Sequence, residues 1–204
     1  LNSATDMSET LTNKQILQQW KINSTWSLFL DRDGVINERK IGGYITMIDE
    51  FEFISGSLQA ITLASKVFGK IIVVTNQQGI GKGLMTVEQL NQIHDYMTGK
   101  VLETGGRIDG VYFSPHLAET NHHTRKPNPG MAMLAANDFP DISFKRSIML
   151  GDSASDMVFA RSLGMKTVFI GNPEELEINN THFDLHYPSF SDFIKDLNAL
   201  LVIQ

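Results

Sequence analysis

Ser27-Leu28-Phe29-Leu30-Asp31-Arg32-Asp33-Gly34 is the stretch that decides how this chain is read. Ser27–Leu30 is short and apolar, as a strand buried on both faces is, and it ends abruptly in charged residues and a glycine. On an extended backbone residues i and i+2 point the same way, so Asp31 and Asp33 face one site and Arg32 faces away. Two carboxylates so placed suit a hard cation, and one can attack phosphorus while the other moves protons. The same residues also suit a plain strand-end turn with solvated acids, because Asp is common in turns.

Working outward, similar runs recur at Ile71–Val74, Val111–Phe113, Ser147–Leu150 and Thr167–Ile170. Helical periodicity fills the gaps between them. Leu58, Ile61, Ala64 and Val67 repeat up to Gly69, and Thr86 with Gln89 has capping-box spacing ahead of Val87, Leu90, Ile93, Met97 and Val101. Pro129 opens a third helix, Ala154–Leu163 reads as a fourth ended by Gly164, and Phe190–Leu201 closes the chain. Alternation of this kind predicts a doubly wound α/β domain with a mostly parallel sheet in three α/β/α layers. The domain is expected over residues 27–204, after an extension over 1–26. In that extension residues 1–11 are polar and expected to fray, while Thr12 with Gln15 caps a short helix carrying Ile16, Leu17 and Trp20.

Four polar clusters follow four of the strands, where a doubly wound sheet binds ligands. After the Asp31 cluster comes Thr75-Asn76-Gln77-Gln78-Gly79, whose hydroxyl, amides and free N–H groups can hold phosphoryl oxygens. Arg125-Lys126-Pro127 puts two cations before a stiff turn; a Lys there would neutralise phosphoryl charge, although such a pair also suits a solvated loop. In Gly151-Asp152-Ser153-Ala154-Ser155-Asp156 the glycine permits a tight turn and Asp156 lies a helical turn beyond Asp152; helix capping is the plain alternative. Turn chemistry alone does not readily produce all four clusters in order.

Composition narrows the classes further. Seventeen Lys+Arg against 23 Asp+Glu leave a net charge of −6, with no basic footprint for nucleic acid or anionic lipid. Zero cysteines exclude a disulfide framework, a Cys nucleophile and Cys-based zinc. No run reaches the length of a membrane span, and Leu1 to Met7 lack the basic and apolar regions of a secretory signal, so a cytoplasmic protein is expected. Gly79-Ile80-Gly81-Lys82-Gly83 fails both nucleotide patterns: Asn76 and Gly83 break the P-loop, and Leu84 breaks the dinucleotide fingerprint. His94 is expected to be packed or on the surface. Trp20 and Trp26 are read as hydrophobic clasps, and Met131, Met133, Met149, Met157 and Met165 as core filler.

Together FLDRDGVIN, VVTNQQGIGKG, RKPNPGM and MLGDSASDM resemble the four motifs of the haloacid-dehalogenase-like phosphohydrolases, from about Phe29 to Ile170. With Gly43-Tyr44 and DGVYFSPH added, the chain is similar to the branch of heptose-1,7-bisphosphate phosphatases and histidinol-phosphatases. The resemblance implies that Asp31 is the nucleophile forming an aspartyl-phosphate and Asp33 the general acid and then base. Thr75 and Lys126 would hold the phosphoryl group, with Asn76 and Gln77 lining its site. Arg125 would recognise substrate beneath a flap carrying Gly43 and Tyr44. Mg²⁺ would bind Asp31, Asp152 and the Asp33 carbonyl, with Asp156 in support. Short gaps between motifs imply a capless, open site. The implied enzyme is a monomeric phosphatase of a small sugar phosphate, a heptose 1,7-bisphosphate losing its anomeric phosphate. Histidinol-phosphatase is the runner-up; a phospho-acceptor signalling module or a nucleic-acid 3′-phosphatase fits less well. Many relatives carry a Cys-x-His and Cys-x-Cys zinc loop. Here Ser114, His116, His122 and Thr124 stand at those positions, so structural zinc is not expected.

Overall fold

Alternate residues of the first strand point to opposite faces of a sheet, and both faces are covered. The computed structural model describes residues 11–175 and 182–201, so most of the stretch expected to fray lies outside the described residues. In chain order the elements are α1 (Asn13–Trp20), β1 (Ser27–Leu30), α2 (Ser57–Ala64), β2 (Lys70–Asn76), α3 (Val87–Glu103) and β3 (Gly110–Ser114). There follow α4 (Gly130–Asp138), β4 (Ser147–Gly151), α5 (Ala154–Ser162), β5 (Lys166–Ile170), β6 (Leu185–Tyr187) and α6 (Phe190–Leu201). The six strands run parallel in the order β3-β2-β1-β4-β5-β6.

Leu28 and Leu30 of β1 join Ile71, Val73, Ile148 and Leu150 in one buried layer with Ile61 of α2, Leu90 and Ile93 of α3 and Phe193 of α6. Phe29 faces the other way, with Ile72, Val74 and Met149, onto Met131 and Ala135 of α4 and Phe159 of α5. Period-two side-chain alternation thus builds the three layers directly. Each fully buried Leu, Ile or Phe contributes about 1.5–3 kcal/mol over its exposed state. The segment ahead of β1 shares this core: Leu17, Trp20, Ile22 and Trp26 are buried in the same layer as α6. The Thr12–Gln15 capping box of α1 and the Thr86–Gln89 box of α3 both form.

Strand order reverses on the two sides of β1, which connects through α2 to β2 on one side and lies beside β4 on the other. Because the strands are parallel, their carboxyl ends share one edge, and the crevice at this reversal is where ligands are expected.

Several details differ from the sequence reading. A sixth strand, β6, pairs with β5; at three residues with His186 in the middle, it lacks an apolar run long enough to read. Thr75 and Asn76 belong to β2 itself, paired with Phe113 and Ser114. β3 is only half-buried because it is an edge strand. The second helix stops at Ala64 instead of Val67, where the Ser65 hydroxyl donates back to the Ile61 carbonyl (2.8 Å). Met131, Met149, Met157 and Met165 are core residues, but Met133 is exposed on the outer side of α4.

Candidate active site

Four strand ends deliver the predicted residues to one cleft of about 750 Å³, lined by Asp31, Asp33, Thr75, Asn76, Gln77, Arg125 and Lys126 and roofed by residues 39–45. Gly43 and Tyr44 lie in that roof. Asp31 follows β1 directly, and its N–H donates to the Leu150 carbonyl (2.9 Å), which fixes it beside β4. Asp31 Oδ1 accepts from its neighbour's N–H (Arg32, 2.8 Å) and from Lys126 Nζ (2.8 Å). Lys126 is buried and donates also to the Val74 carbonyl (2.8 Å) and to Asp156 Oδ1 (2.6 Å). Burial alone would lower its pKa, but the charges of Asp156 and Asp31 outweigh that and raise it, so the ammonium is permanent.

Asp152 follows β4, and Ser153 caps α5 in a capping box with Asp156. The capping and functional readings of Asp156 both hold: Oδ2 accepts from the Ser153 hydroxyl (2.6 Å) while Oδ1 takes Lys126. Asp31, Asp152 and Asp156 each bring an oxygen within 4.8 Å of the others. Burial first, and then mutual repulsion, pushes Asp31 up to about 6 and Asp152 to about 8. Such a set of hard oxygen donors, destabilised by its own charge, fits a divalent cation. Asp156 has protein partners on both oxygens, which leaves Asp31 and Asp152 as the available ligands. The Asp33 side chain is not in this group. Gly34 closes the site: at φ +86°, a Cβ there would lie 1.8 Å from Asp152 Oδ2.

Asp33 has different surroundings. Its Oδ1 accepts from Arg32 Nη2 (2.9 Å) and Asn37 Nδ2 (2.9 Å), and its Oδ2 from Gln77 Nε2 (2.8 Å). Burial pushes its pKa up, but the Arg32 charge and these three donors win and hold it below the ordinary carboxylate value. Gln77 also donates to Thr75 Oγ1 (2.8 Å), and the Asn76 amide clasps Lys126 through its N–H (3.0 Å) and carbonyl (3.1 Å). Gln77 therefore braces two of the site's side chains and Asn76 the Lys126 backbone, although both residues line the cleft. Sequence reasoning missed Asn37, the bracing role of Gln77, and Arg39, whose guanidinium reaches from the roof to Asp152 (2.6 Å). Gln78, read within its cluster as a donor to phosphoryl oxygens, donates instead to the Tyr44 hydroxyl (2.9 Å), and Lys82, missed as a site residue, lies 5.2 Å from the Tyr44 ring centre. Asn37 sits in DRDGVIN, four residues beyond Asp33, and that spacing was the available signal.

At the positions that the sequence resemblance assigns to a zinc loop, the Thr124 hydroxyl donates to Ser114 (3.2 Å) and the His116 and His122 rings stack with centroids 3.4 Å apart. Among the described residues, only the three aspartates bring three ligand atoms together. Arg125 Nη1 donates to the His116 carbonyl (3.0 Å), tying this loop to the cleft.

Comparison with known proteins agrees with this geometry. A family model described as HAD-hydrolase-like matches residues 123–189. A D-glycero-beta-D-manno-heptose-1,7-bisphosphate 7-phosphatase of Helicobacter pylori is 36% identical over 155 residues, covering 74% of this chain and 88% of the relative. A D-glycero-alpha-D-manno-heptose-1,7-bisphosphate 7-phosphatase of Mycobacterium tuberculosis is 38% identical over 138 residues, 68% of this chain and 73% of the relative. The crystal structure of a D,D-heptose 1,7-bisphosphate phosphatase from B. bronchiseptica, complexed with magnesium and phosphate, superposes with a TM-score of 0.78 at 28% identity, over 85% of this chain and 98% of that one. With its parallel sheet, its four motifs at one edge and relatives matched over most of their length, this chain belongs to the HAD-like phosphatases, in the family of the heptose-1,7-bisphosphate 7-phosphatases.

Proposed function

We propose that this protein hydrolyses the C7 phosphate of a D-glycero-D-manno-heptose 1,7-bisphosphate by way of an aspartyl-phosphate on Asp31. The observation that carries this reading is the buried Lys126 ammonium bound at once to Asp31 and Asp156, beside a second, differently tuned acid at Asp33. The relatives' names support position 7 as the site of cleavage, so the anomeric phosphate, expected from the sequence to be the one lost, becomes the distal group. Asp31 Oδ2, which has no hydrogen-bond partner among the described residues, attacks phosphorus while Oδ1 stays pinned by Lys126. Asp33, ionised in the free site, would enter this step protonated and, as the P–O bond to C7 breaks, would give that proton to the leaving alkoxide. Asp33 then takes a proton from water, the water oxygen bonds to phosphorus, and the Asp31–phosphorus bond breaks to release phosphate. Thr75 holds the phosphoryl oxygens, Lys126, whose three donors go to Asp31, Val74 and Asp156, acts on them through its charge, and Arg125, Gly43 and Tyr44 face the sugar and its distal phosphate. Asp31, Asp152 and the Asp33 carbonyl would hold Mg²⁺, which would supply positive charge to the phosphoryl group. No structural zinc is invoked. This reading takes the enzyme as a cytoplasmic monomer; no described helix is long and apolar enough to cross a membrane.

Steady-state kinetics with Mg²⁺ on both anomers of the heptose bisphosphate and on histidinol phosphate, with ³¹P NMR of the products, tests it. A heptose bisphosphate is expected to be preferred, leaving a 1-phosphate. Histidinol phosphate preferred tenfold, or a 7-phosphate product, would overturn the reading.

A further inference from the structure

Arg32 is fully buried, and its charge, which lowers the Asp33 pKa, touches no reacting group other than Asp33 directly. One arm, Nη2, holds Asp33 Oδ1 at 2.9 Å; the other, Nη1, lies 3.3 Å from Nε2 of His94 on α3. The guanidinium sits over the Phe51 ring, 5.9 Å from its centre, and its Nε is buried without a partner. A guanidinium has donors only, so His94 Nε2 is the acceptor, the imidazole is neutral and its proton is on Nδ1. Burial and the Arg32 charge both favour that state. Remove the acceptor and Arg32 keeps a single hydrogen-bond anchor, Asp33 itself, with only the Phe51 ring 5.9 Å away to set the guanidinium plane.

We propose that His94 is a positioning residue for Asp33: it locks Arg32 so that Nη2 fixes Oδ1 and leaves Oδ2, shared with Gln77, to exchange protons in the cleft. Seen from the helix, an apparently packed histidine reaches the reaction through one intervening side chain. The inference rests on the reading of Asp33 as the general acid.

Leaving-group dependence separates this role from a merely structural one. A sugar alkoxide needs its proton as it departs, whereas p-nitrophenolate leaves readily without one. The full-length chain with Mg²⁺ is assayed on heptose 1,7-bisphosphate and on p-nitrophenyl phosphate, as wild type, His94→Leu, His94→Gln, Arg32→Lys and Asp33→Asn. His94→Leu is expected to lower kcat on the sugar at least about fivefold more than on the aryl ester, with sugar KM within about twofold. His94→Gln, whose amide oxygen can accept from Arg32, is expected to keep the wild-type ratio of the two substrates. Arg32→Lys, with one nitrogen where two are needed, is expected to reproduce the His94→Leu split, and it decides the matter if His94→Leu does not fold. Equal losses on both substrates in the folded variants, or His94→Gln behaving like His94→Leu, would overturn the inference while an Asp33→Asn split left the general-acid reading standing. If Asp33→Asn shows no split, both fall together.

Discussion

Two residues apart on one strand end, Asp31 and Asp33 occupy opposite electrostatic settings. Asp31 is raised to about 6 by burial and neighbouring carboxylates despite its contact with Lys126, while Asp33 is lowered by an arginine and two amides. Their roles follow position instead, Asp31 beside Lys126 and Asp33 two residues on, and the charge of a bound Mg²⁺ would lower Asp31 toward its ionised, nucleophilic form. Asp31→Asn should abolish turnover, because an amide does not attack phosphorus; activity within tenfold of wild type would refute the nucleophile. Asp33→Asn should lose about 10²–10⁴-fold in kcat, measured on the sugar substrate, since its amide neither gives nor takes the proton. Gly34 is a third single-residue test. Its positive φ and the 1.8 Å approach of Asp152 leave no room for a methyl group. Gly34→Ala should lower stability by at least about 1–2 kcal/mol and weaken Mg²⁺ binding. Thermal denaturation and titration calorimetry would show both; wild-type Mg²⁺ affinity in that variant would mean that the contact does not shape the metal site.

At the scale of elements, the roof over residues 39–45 is the part whose contacts compete with the chemistry. Arg39, half-exposed, pairs with Asp152 at 2.6 Å, and Asp152 is one of the two acids free to take a cation. The Lys40–Glu50 pair anchors the roof beside it, and Gln78 holds Tyr44 from the β2 side. A cation entering the site must displace Arg39, which then lies on the cleft wall with its charge unspent. Because exposed ion pairs contribute up to about 1 kcal/mol, Arg39→Ala should tighten Mg²⁺ binding by up to about fivefold at low salt, and less at high salt. Calorimetric titration at two ionic strengths measures this. Weaker binding in the variant would show that Arg39 supports the cation site instead of competing for it. The resemblance indicated a flap at Gly43-Tyr44, but not that an arginine four residues before Gly43 reaches the acids.

For the molecule as a whole, the buried acids make stability depend on pH and cation together. Asp31 and Asp152 have folded values of about 6 and about 8, above the ordinary Asp value of 3.8. A raised value means that their contribution is full below the unfolded pKa and is lost as pH rises through the folded one. Asp33, lowered, has the opposite sign and loses its contribution only in acid. The metal-free protein should therefore give up stability from Asp31 and Asp152 between about pH 4 and about pH 8. A cation bound by the ionised pair restores it, so the rise in Tm on adding Mg²⁺ should be larger near pH 8 than near pH 5. Differential scanning calorimetry across that range, with and without Mg²⁺, provides the measurement, and a pH-independent increment would contradict the assignment of these two carboxylates.

By itself the sequence determined the layering, the strand-end clusters and the family. Each rests on local rules: apolar runs buried on two faces, helical periodicity between them, capping boxes at Thr12 and Thr86, and motifs read in order. The three residues of β6 were not legible, because their place depends on β5 beside them. Tertiary structure alone decided which side chains serve others. Asn76 and Gln77 read as ligands for a phosphoryl group, and it is the convergence of β1, β2 and the Lys126 loop that turns their amides onto Lys126 and Asp33. His94 and Arg32 lie 62 residues apart and meet only because α3 packs over the sheet. Spacing along a chain encodes which way a side chain leaves its own backbone; what it meets there is set by elements distant in sequence, and so are the pKa values of Asp31, Asp33 and Asp152.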